Sequence, residues 1–193
     1  MSKMIDDRLL QSYVSASETM NNNLVPKSLG IFAWRIKKKR IPVRVKLDKR
    51  GLDLNTIRCP VCDDSLETVE HSMIFCKVAR DTWDRVYKWW GLGNFNTFSV
   101  DEILNGDGIN ISSKDRKIWQ AVEWVCGYLL WKNRNHKVFR NKDWTSAMIF
   151  NEVQIKSYEW ISKRLKSKLI EWHQWLVNPS SYCCSSSPRT GVG

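Results

Sequence analysis

The sequence lacks the long apolar segments that membranes require. No run of eighteen apolar residues is present, because Gln120 and Glu123 interrupt the most hydrophobic region. The first seven residues also lack the apolar stretch of a signal peptide. We therefore expect no membrane association, a nuclear or cytoplasmic location rather than secretion, and cysteines that stay reduced.

Phosphate-binding loops and internal repeats are missing as well. The 9 glycines are few, and none stands in the G-x-x-x-x-G-K arrangement of a phosphate loop. Acidic residues are scarce relative to basic ones: 20 Asp and Glu against 31 Lys and Arg leave a net charge of +11. Such an excess favours polyanionic partners, since Lys and Arg that neutralise phosphates release condensed counterions. RNA or DNA is the partner that we expect.

Three of the 6 cysteines stand near one histidine in the arrangement C-x2-C-x8-H-x4-C. Cys59 and Cys62 can reach one ion from a single tight turn, and His71 and Cys76 can complete the tetrahedron that zinc prefers. Four protein ligands leave no position for water, so we predict one structural Zn2+ rather than a hydrolytic one. The alternatives are a redox dithiol, disulfides or unrelated buried thiols, but the ligand spacing favours zinc.

Helical spacing of apolar residues predicts a mainly α protein in two parts. The first is a small zinc-stapled helical module over residues 25–92, preceded by a partly ordered segment over 1–24. The second is a helical extension over residues 99–177, in which two long helices, from 112 or 113 to about 138 and from 145 to 169, form an antiparallel hairpin. A disordered Ser-rich tail over 178–193 follows.

Within the first part, we predict one helix from Pro26 to about residue 38 and a second that Pro42 opens and Gly51 ends. Leu52 is expected to pack back on this second helix. A third helix over residues 78–90 carries Trp83, Trp89 and Trp90 at core spacing, with Trp90 as the exposed member. Stacking of these rings on nucleic-acid bases is the alternative.

The densest positive run follows the first helix. We predict that its cations contact phosphates, and the alternatives are a solvated helix surface or a nuclear localisation signal. The predicted nucleic-acid contacts are Arg35, Lys37, Lys38, Lys39, Arg40, Arg44, Lys46 and Lys49.

An ordered series of motifs resembles the reverse-transcriptase zinc-binding domain of plant non-LTR (LINE-type) retrotransposons, from about residue 25 to 90. In chain order the motifs are Phe32-Ala33-Trp34-Arg35, Ile41-Pro42-Val43-Arg44 with Arg50-Gly51, Cys59-Pro60-Val61-Cys62, Glu70-His71, Phe75-Cys76 and Ala79-Arg80-x-x-Trp83. Where the family commonly has Thr after Leu-Pro, this chain has Val43 after Ile-Pro, which removes a hydroxyl near a helix start.

The resemblance implies an accessory module that helps to hold template RNA or target DNA near an RNA-directed DNA polymerase, which a partner chain would supply in trans. No polymerase motif is recognisable, since Asp63-Asp64 lacks the preceding Tyr-x, so we predict no enzymatic activity and no catalytic residue. The alternative function is a zinc-stabilised scaffold, a truncated or domesticated retroelement product whose Trp-rich helices bind protein. The oligomeric state is left open.

Overall fold

The structure is a computed structural model that describes residues 20–97, 99–105, 111–165 and 170–180. The predicted segments over 1–24 and 178–193 lie mostly outside the described residues. Within these ranges the fold is helical, with one isolated antiparallel bridge and no β-strand. The α-helices in chain order are α1 (Lys27–Lys37), α2 (Arg44–Asp48), α3 (Lys77–Trp90), α4 (Val100–Asn105), α5 (Ser113–Arg140), α6 (Ser146–Arg164) and α7 (Trp172–Val177), with a π-helical turn at His71–Phe75 between α2 and α3. The prediction of a mainly α protein is confirmed.

Helix α1 forms where the sequence predicts it. Pro26 stands at its N-cap with φ −56, close to helical φ, and Leu29, Ala33 and Ile36 are buried. The spacing of these residues, four and then three apart, places them on one face. This face packs on α5, so the first helix of the chain depends on the extension for its burial.

Helix α2 begins two residues later than predicted, at Arg44, with the buried Val43 at its N-cap. No side chain of the cap residue bonds to the helix, as the missing hydroxyl implied. Gly51 ends the segment with φ +80, a left-handed conformation that only glycine adopts without strain. The Leu52 N–H donates to the Leu47 carbonyl, but the Leu52 side chain is 49% exposed and does not pack back as predicted.

Helix α3 corrects one prediction about the tryptophans. Trp90 is buried rather than exposed, and Trp89 is the partly buried member. Trp90 meets the ring of Trp119 at 5.1 Å and that of Trp175 at 6.0 Å, so residues of the extension cover it. Burial of Trp83 and Trp90 leaves neither ring available to stack on a base.

Helices α5 and α6 form the predicted hairpin. Ser112 and Thr145 cap their N-termini, and Asn141 with φ 47 ends α5, so only a few residues connect the two. Such a short connection between two extensively packed helices makes them antiparallel. Helix α6 ends at Arg164 rather than 169, and residues 166–169 lie outside the described ranges. No helix among the described residues is long and apolar enough to cross a bilayer.

The module and the extension share one hydrophobic core. Helix α5 contacts α1 and the π-helical turn as well as α6, and buried residues of both parts belong to the same cluster. The division at about residues 92 and 99 stays a prediction about domains. In the described residues, the extension packs on the apolar side chains that the zinc-binding segment does not bury by itself.

Candidate metal centre and basic surface

A tight turn presents the first two predicted ligands. Arg58 and Leu66 form an isolated antiparallel bridge, and the Cys59 N–H donates to the Ser65 carbonyl at 2.7 Å. The Asp63 N–H closes the turn on the Cys59 carbonyl at 2.9 Å, with Asp63 at φ 54. Cys59 and Cys62 therefore lie on one small loop. The exposed Asp63 belongs to this turn.

A π-helical turn presents the other two ligands. The Cys76 N–H donates to the His71 carbonyl at 2.7 Å, an i to i+5 bond, and the Thr68 hydroxyl accepts from the His71 N–H at 3.0 Å. In an α-helix, residue i+5 would lie about 140° around the axis from residue i. The wider turn brings residue i+5 back to the same side, so the four-residue gap between His71 and Cys76 suits a shared ligand position.

The four donor atoms converge on one point. The sulfurs of Cys59, Cys62 and Cys76 and a ring nitrogen of His71 all lie within 4.8 Å of one another, and Cys62 Sγ is 3.2 Å from His71 Nε2. In a tetrahedral site with Zn–S bonds of about 2.3 Å, neighbouring sulfurs are about 3.8 Å apart. Three sulfurs and one imidazole at this spacing fit a closed Zn2+ site, and three of the four residues are buried.

Hydrogen bonds at the cluster favour the thiolate form of Cys59. Cys76 donates to Cys59 and lowers the pKa of Cys59 to about 3, an effect that burial opposes and that His71 and backbone N–H groups of the turn assist. The same pairing raises the pKa of Cys76 above that of an ordinary thiol. Cys76 is also the N-cap of α3, where the helix dipole favours negative charge. Zinc binding requires deprotonated thiols, so metal affinity should fall in acid.

A buried ion pair next to the metal cluster was not predicted. Glu67 is 0% exposed, and its two oxygens accept from Arg134 Nε at 2.6 Å and Nη2 at 2.8 Å. The second oxygen also accepts from the Arg44 N–H at 2.7 Å. This carboxylate, held four residues before His71, thus caps α2 in place of the hydroxyl that Val43 lacks. Arg134, near the end of α5, is buried against the zinc-binding segment.

The predicted phosphate contacts differ in what they already bind. Lys37 Nζ donates to Asn105 at 3.0 Å, Lys39 pairs with Glu70 at 2.5 Å, and the Arg40 guanidinium lies over the Trp34 ring at 5.2 Å. Arg44 donates to the Arg58 carbonyl at 2.9 Å. Lys46 is half-buried. Among the described residues, three of the eight side chains are exposed and have neither an ion-pair partner nor an aromatic ring beneath them. These are Arg35, Lys38 and Lys49.

The other cysteines and histidines lie away from the cluster or outside the described residues. Cys126 is fully buried in the core, and burial raises the pKa of its thiol. The described cysteines are all free, which argues against the disulfide alternative. His136 packs edge-on against Trp144 at 5.0 Å and belongs to the hairpin. Cys183 and Cys184 lie outside the described residues.

The comparison with protein families agrees with the metal cluster. Residues 6–83 match the family model described as zinc-binding in reverse transcriptase, a match that covers fewer than half of the 193 residues. The chain carries a segment similar to that zinc-binding domain. The match includes all four candidate ligands and begins earlier than the resemblance predicted. No curated protein and no solved structure is significantly similar to the chain.

Proposed function

We propose that this chain is a zinc-stabilised, nucleic-acid-binding accessory module of a LINE-type reverse transcriptase. The observation that carries the proposal is the convergence of Cys59, Cys62, His71 and Cys76 within a segment that matches the zinc-binding domain of reverse transcriptases. In this role the module has no catalytic residue of its own. It holds RNA or DNA near a polymerase, in the nucleus or the cytoplasm.

The zinc site supports this role by fixing the surface that precedes it. A closed site of four protein ligands supplies rigidity rather than Lewis-acid chemistry, because no coordination position remains for a substrate. Glu67 and Glu70 lie between the two pairs of ligands in the sequence. Glu67 accepts from the Arg44 N–H at the start of α2, and Glu70 pairs with Lys39 in the basic run. Metal binding therefore orders the backbone that displays the cations.

The charge of the surface supports a polyanionic partner. Arg35, Lys38 and Lys49 are exposed and unpaired among the described residues, so phosphates can approach them without breaking an existing bond. Lys39 and Arg44 would have to leave Glu70 and the Arg58 carbonyl first. We therefore assign the main phosphate contacts to Arg35, Lys38 and Lys49.

A salt titration tests the nucleic-acid role. Labelled single-stranded RNA should bind the zinc-loaded chain with an affinity that falls steeply as salt rises, by about 0.7 log units per contact for each tenfold change in salt. Replacing Arg35, Lys38 and Lys49 with Gln should reduce the magnitude of this slope by about two units and weaken all sequences alike, since phosphate contacts do not read bases.

The matched control replaces three exposed cations on other faces, Arg85, Lys88 and Lys117, with Gln. It removes the same charge, so a general electrostatic effect would change both variants equally. An unchanged slope in the first variant would refute the assignment of the basic run. No binding of the native chain at low salt would refute the nucleic-acid role and leave the zinc-stabilised protein scaffold as the function.

A further inference from the structure

The end of the α5–α6 hairpin carries a second concentration of positive charge, outside the segment that matches the family model. Residues 132–144 contain five Lys and Arg but one acidic residue, Asp143. Arg134 forms an ion pair with Glu67, and Lys137 pairs with Asp143 at 3.4 Å. Arg140 and Lys142 are exposed and, in the part of the chain that the structure describes, have no ion-pair partner. Their charge is therefore available to a ligand.

Aromatic rings lie among these cations. Lys132 Nζ lies 5.4 Å from the Trp144 ring centroid, and His136 meets the same ring edge-on at 5.0 Å. Residues 132, 136 and 139 or 140 recur at three- and four-residue intervals, so they follow one side of α5 toward its end. Phe139 is 77% exposed, the highest fraction among the large apolar side chains described. An open aromatic ring thus lies beside unpaired cations.

The histidine at this end lies among cations. The pKa of His136 is lowered, first by partial desolvation and then by the charges of Arg140, Lys132 and Lys142. This direction is expected for a histidine that is partly desolvated and has cations nearby. A polyanion would relieve the repulsion.

We propose that this hairpin-end surface, formed by Lys132, His136, Phe139, Arg140, Lys142 and Trp144, binds single-stranded nucleic acid, with phosphates at Arg140 and Lys142 and a base stacked on Phe139. Combined cations and open aromatic rings are the usual means of binding single strands, because every base has a face that can stack. The inference rests on the proposed nucleic-acid role and adds a second contact to it.

The fold places the two contacts on neighbouring parts of the molecule. Arg134 reaches the Pro42 carbonyl at 3.5 Å and the Glu67 carboxylate that caps α2, so this turn of α5 adjoins the zinc-binding segment. Arg140 lies six residues further along the helix, or about 9 Å at 1.5 Å per residue. The hairpin-end surface therefore begins near Pro42, which lies within the basic run.

Two variants of the zinc-loaded full chain separate stacking from charge. Phe139→Ala should weaken binding of labelled single-stranded RNA about fivefold or more with an unchanged salt slope, since stacking releases no counterions. Arg140→Gln with Lys142→Gln should reduce the magnitude of the slope by about 1.4 units. These side chains are exposed, and circular dichroism and zinc content should confirm that the variants fold.

Matched controls use other exposed positions. Val177→Ala removes apolar surface from α7, where the side chain is 67% exposed. Arg116→Gln with Lys117→Gln removes two charges at the opposite end of α5, about 35 Å away. Neither control should change the affinity as much as the corresponding hairpin variant.

Three results would overturn the inference. If the Arg35, Lys38 and Lys49 variant weakens binding but both hairpin variants bind like the native chain, the second contact does not exist and the proposed function stands. If the native chain does not bind RNA at low salt, both proposals fail. If polyglutamate competes as well as RNA and Phe139→Ala has no effect, the surface suits an acidic protein instead.

Discussion

The buried pair of Glu67 and Arg134 offers a quantitative test of how the zinc-binding segment and the hairpin depend on each other. Glu67→Gln keeps the shape of the side chain but leaves the Arg134 guanidinium, which is 6% exposed, without a counter-charge. Removing one partner of a buried pair costs about 3–5 kcal/mol, because the remaining charge stays desolvated. That is a large share of a typical stability of about 5–15 kcal/mol.

We expect the midpoint of thermal unfolding to fall by about 6–20 °C, at about 2–4 °C per kcal/mol for a chain of this size. The assay is urea and thermal unfolding followed by circular dichroism with zinc in excess, so that metal loss does not add to the effect. Replacing both Glu67 and Arg134 with Met should cost less than Glu67→Gln alone, because no buried charge is then left unpaired.

The half-buried surface pair of Glu159 and Lys156 is the control, because its charged atoms are 2.9 Å apart and both side chains are more than one third exposed. Glu159→Gln should change stability far less than Glu67→Gln, since water screens the pair. If Glu67→Gln changes the free energy of unfolding by less than about 1 kcal/mol, the two parts do not depend on this contact, and our account of the interface is wrong.

Three further predictions concern single positions. Gly51→Ala should lower stability by about 1–2 kcal/mol in urea titrations, because φ +80 strains any residue with a Cβ; an unchanged midpoint would contradict the left-handed turn. Arg140→Gln should raise the pKa of His136 in an NMR titration, because it removes a nearby positive charge. The native pKa lies below 6.5, so the unfolded chain binds the proton more readily and stability falls as the pH drops through 6.5. If the variant and the native chain have the same His136 pKa, Arg140 does not repel the protonated histidine. Cys126→Ala should cost stability through lost packing yet keep the metal, and zinc release would show that our ligand set is incomplete.

The metal ligands could be predicted from sequence because they are local. Cys59 and Cys62 share one turn, and His71 and Cys76 share another, so spacing alone indicates which atoms can meet. The five-residue step from His71 to Cys76 also contains the signal for the π-helical turn, since an α-helix would separate the two side chains.

The long helices could also be predicted from sequence, because apolar spacing and the capping residues Ser112 and Thr145 are local signals. Contacts between residues that are far apart in the sequence could not be predicted. Glu67 and Arg134 are 67 residues apart, so no local pattern indicates that they form a pair. Trp90 was assigned to the surface because only the extension covers it, through Trp119 and Trp175.

At Val43, a side chain far away in the sequence replaces a missing helix cap. The sequence showed that the hydroxyl expected near the start of α2 was missing. It gave no sign that a carboxylate more than twenty residues later, in Glu67, would accept from the Arg44 N–H. A charged residue between two predicted metal ligands, with no partner nearby in sequence, was the available clue.

The central claim is that one zinc ion holds this fold together. Native mass spectrometry with parallel circular dichroism tests it directly on the native chain and on Cys76→Ser. We predict one Zn2+ per native chain, and loss of both the ion and much of the helical signal in the variant, because metal binding in small zinc modules contributes on the order of 10 kcal/mol to folding. A native chain that keeps its helical signal and thermal midpoint with no bound zinc would contradict the account.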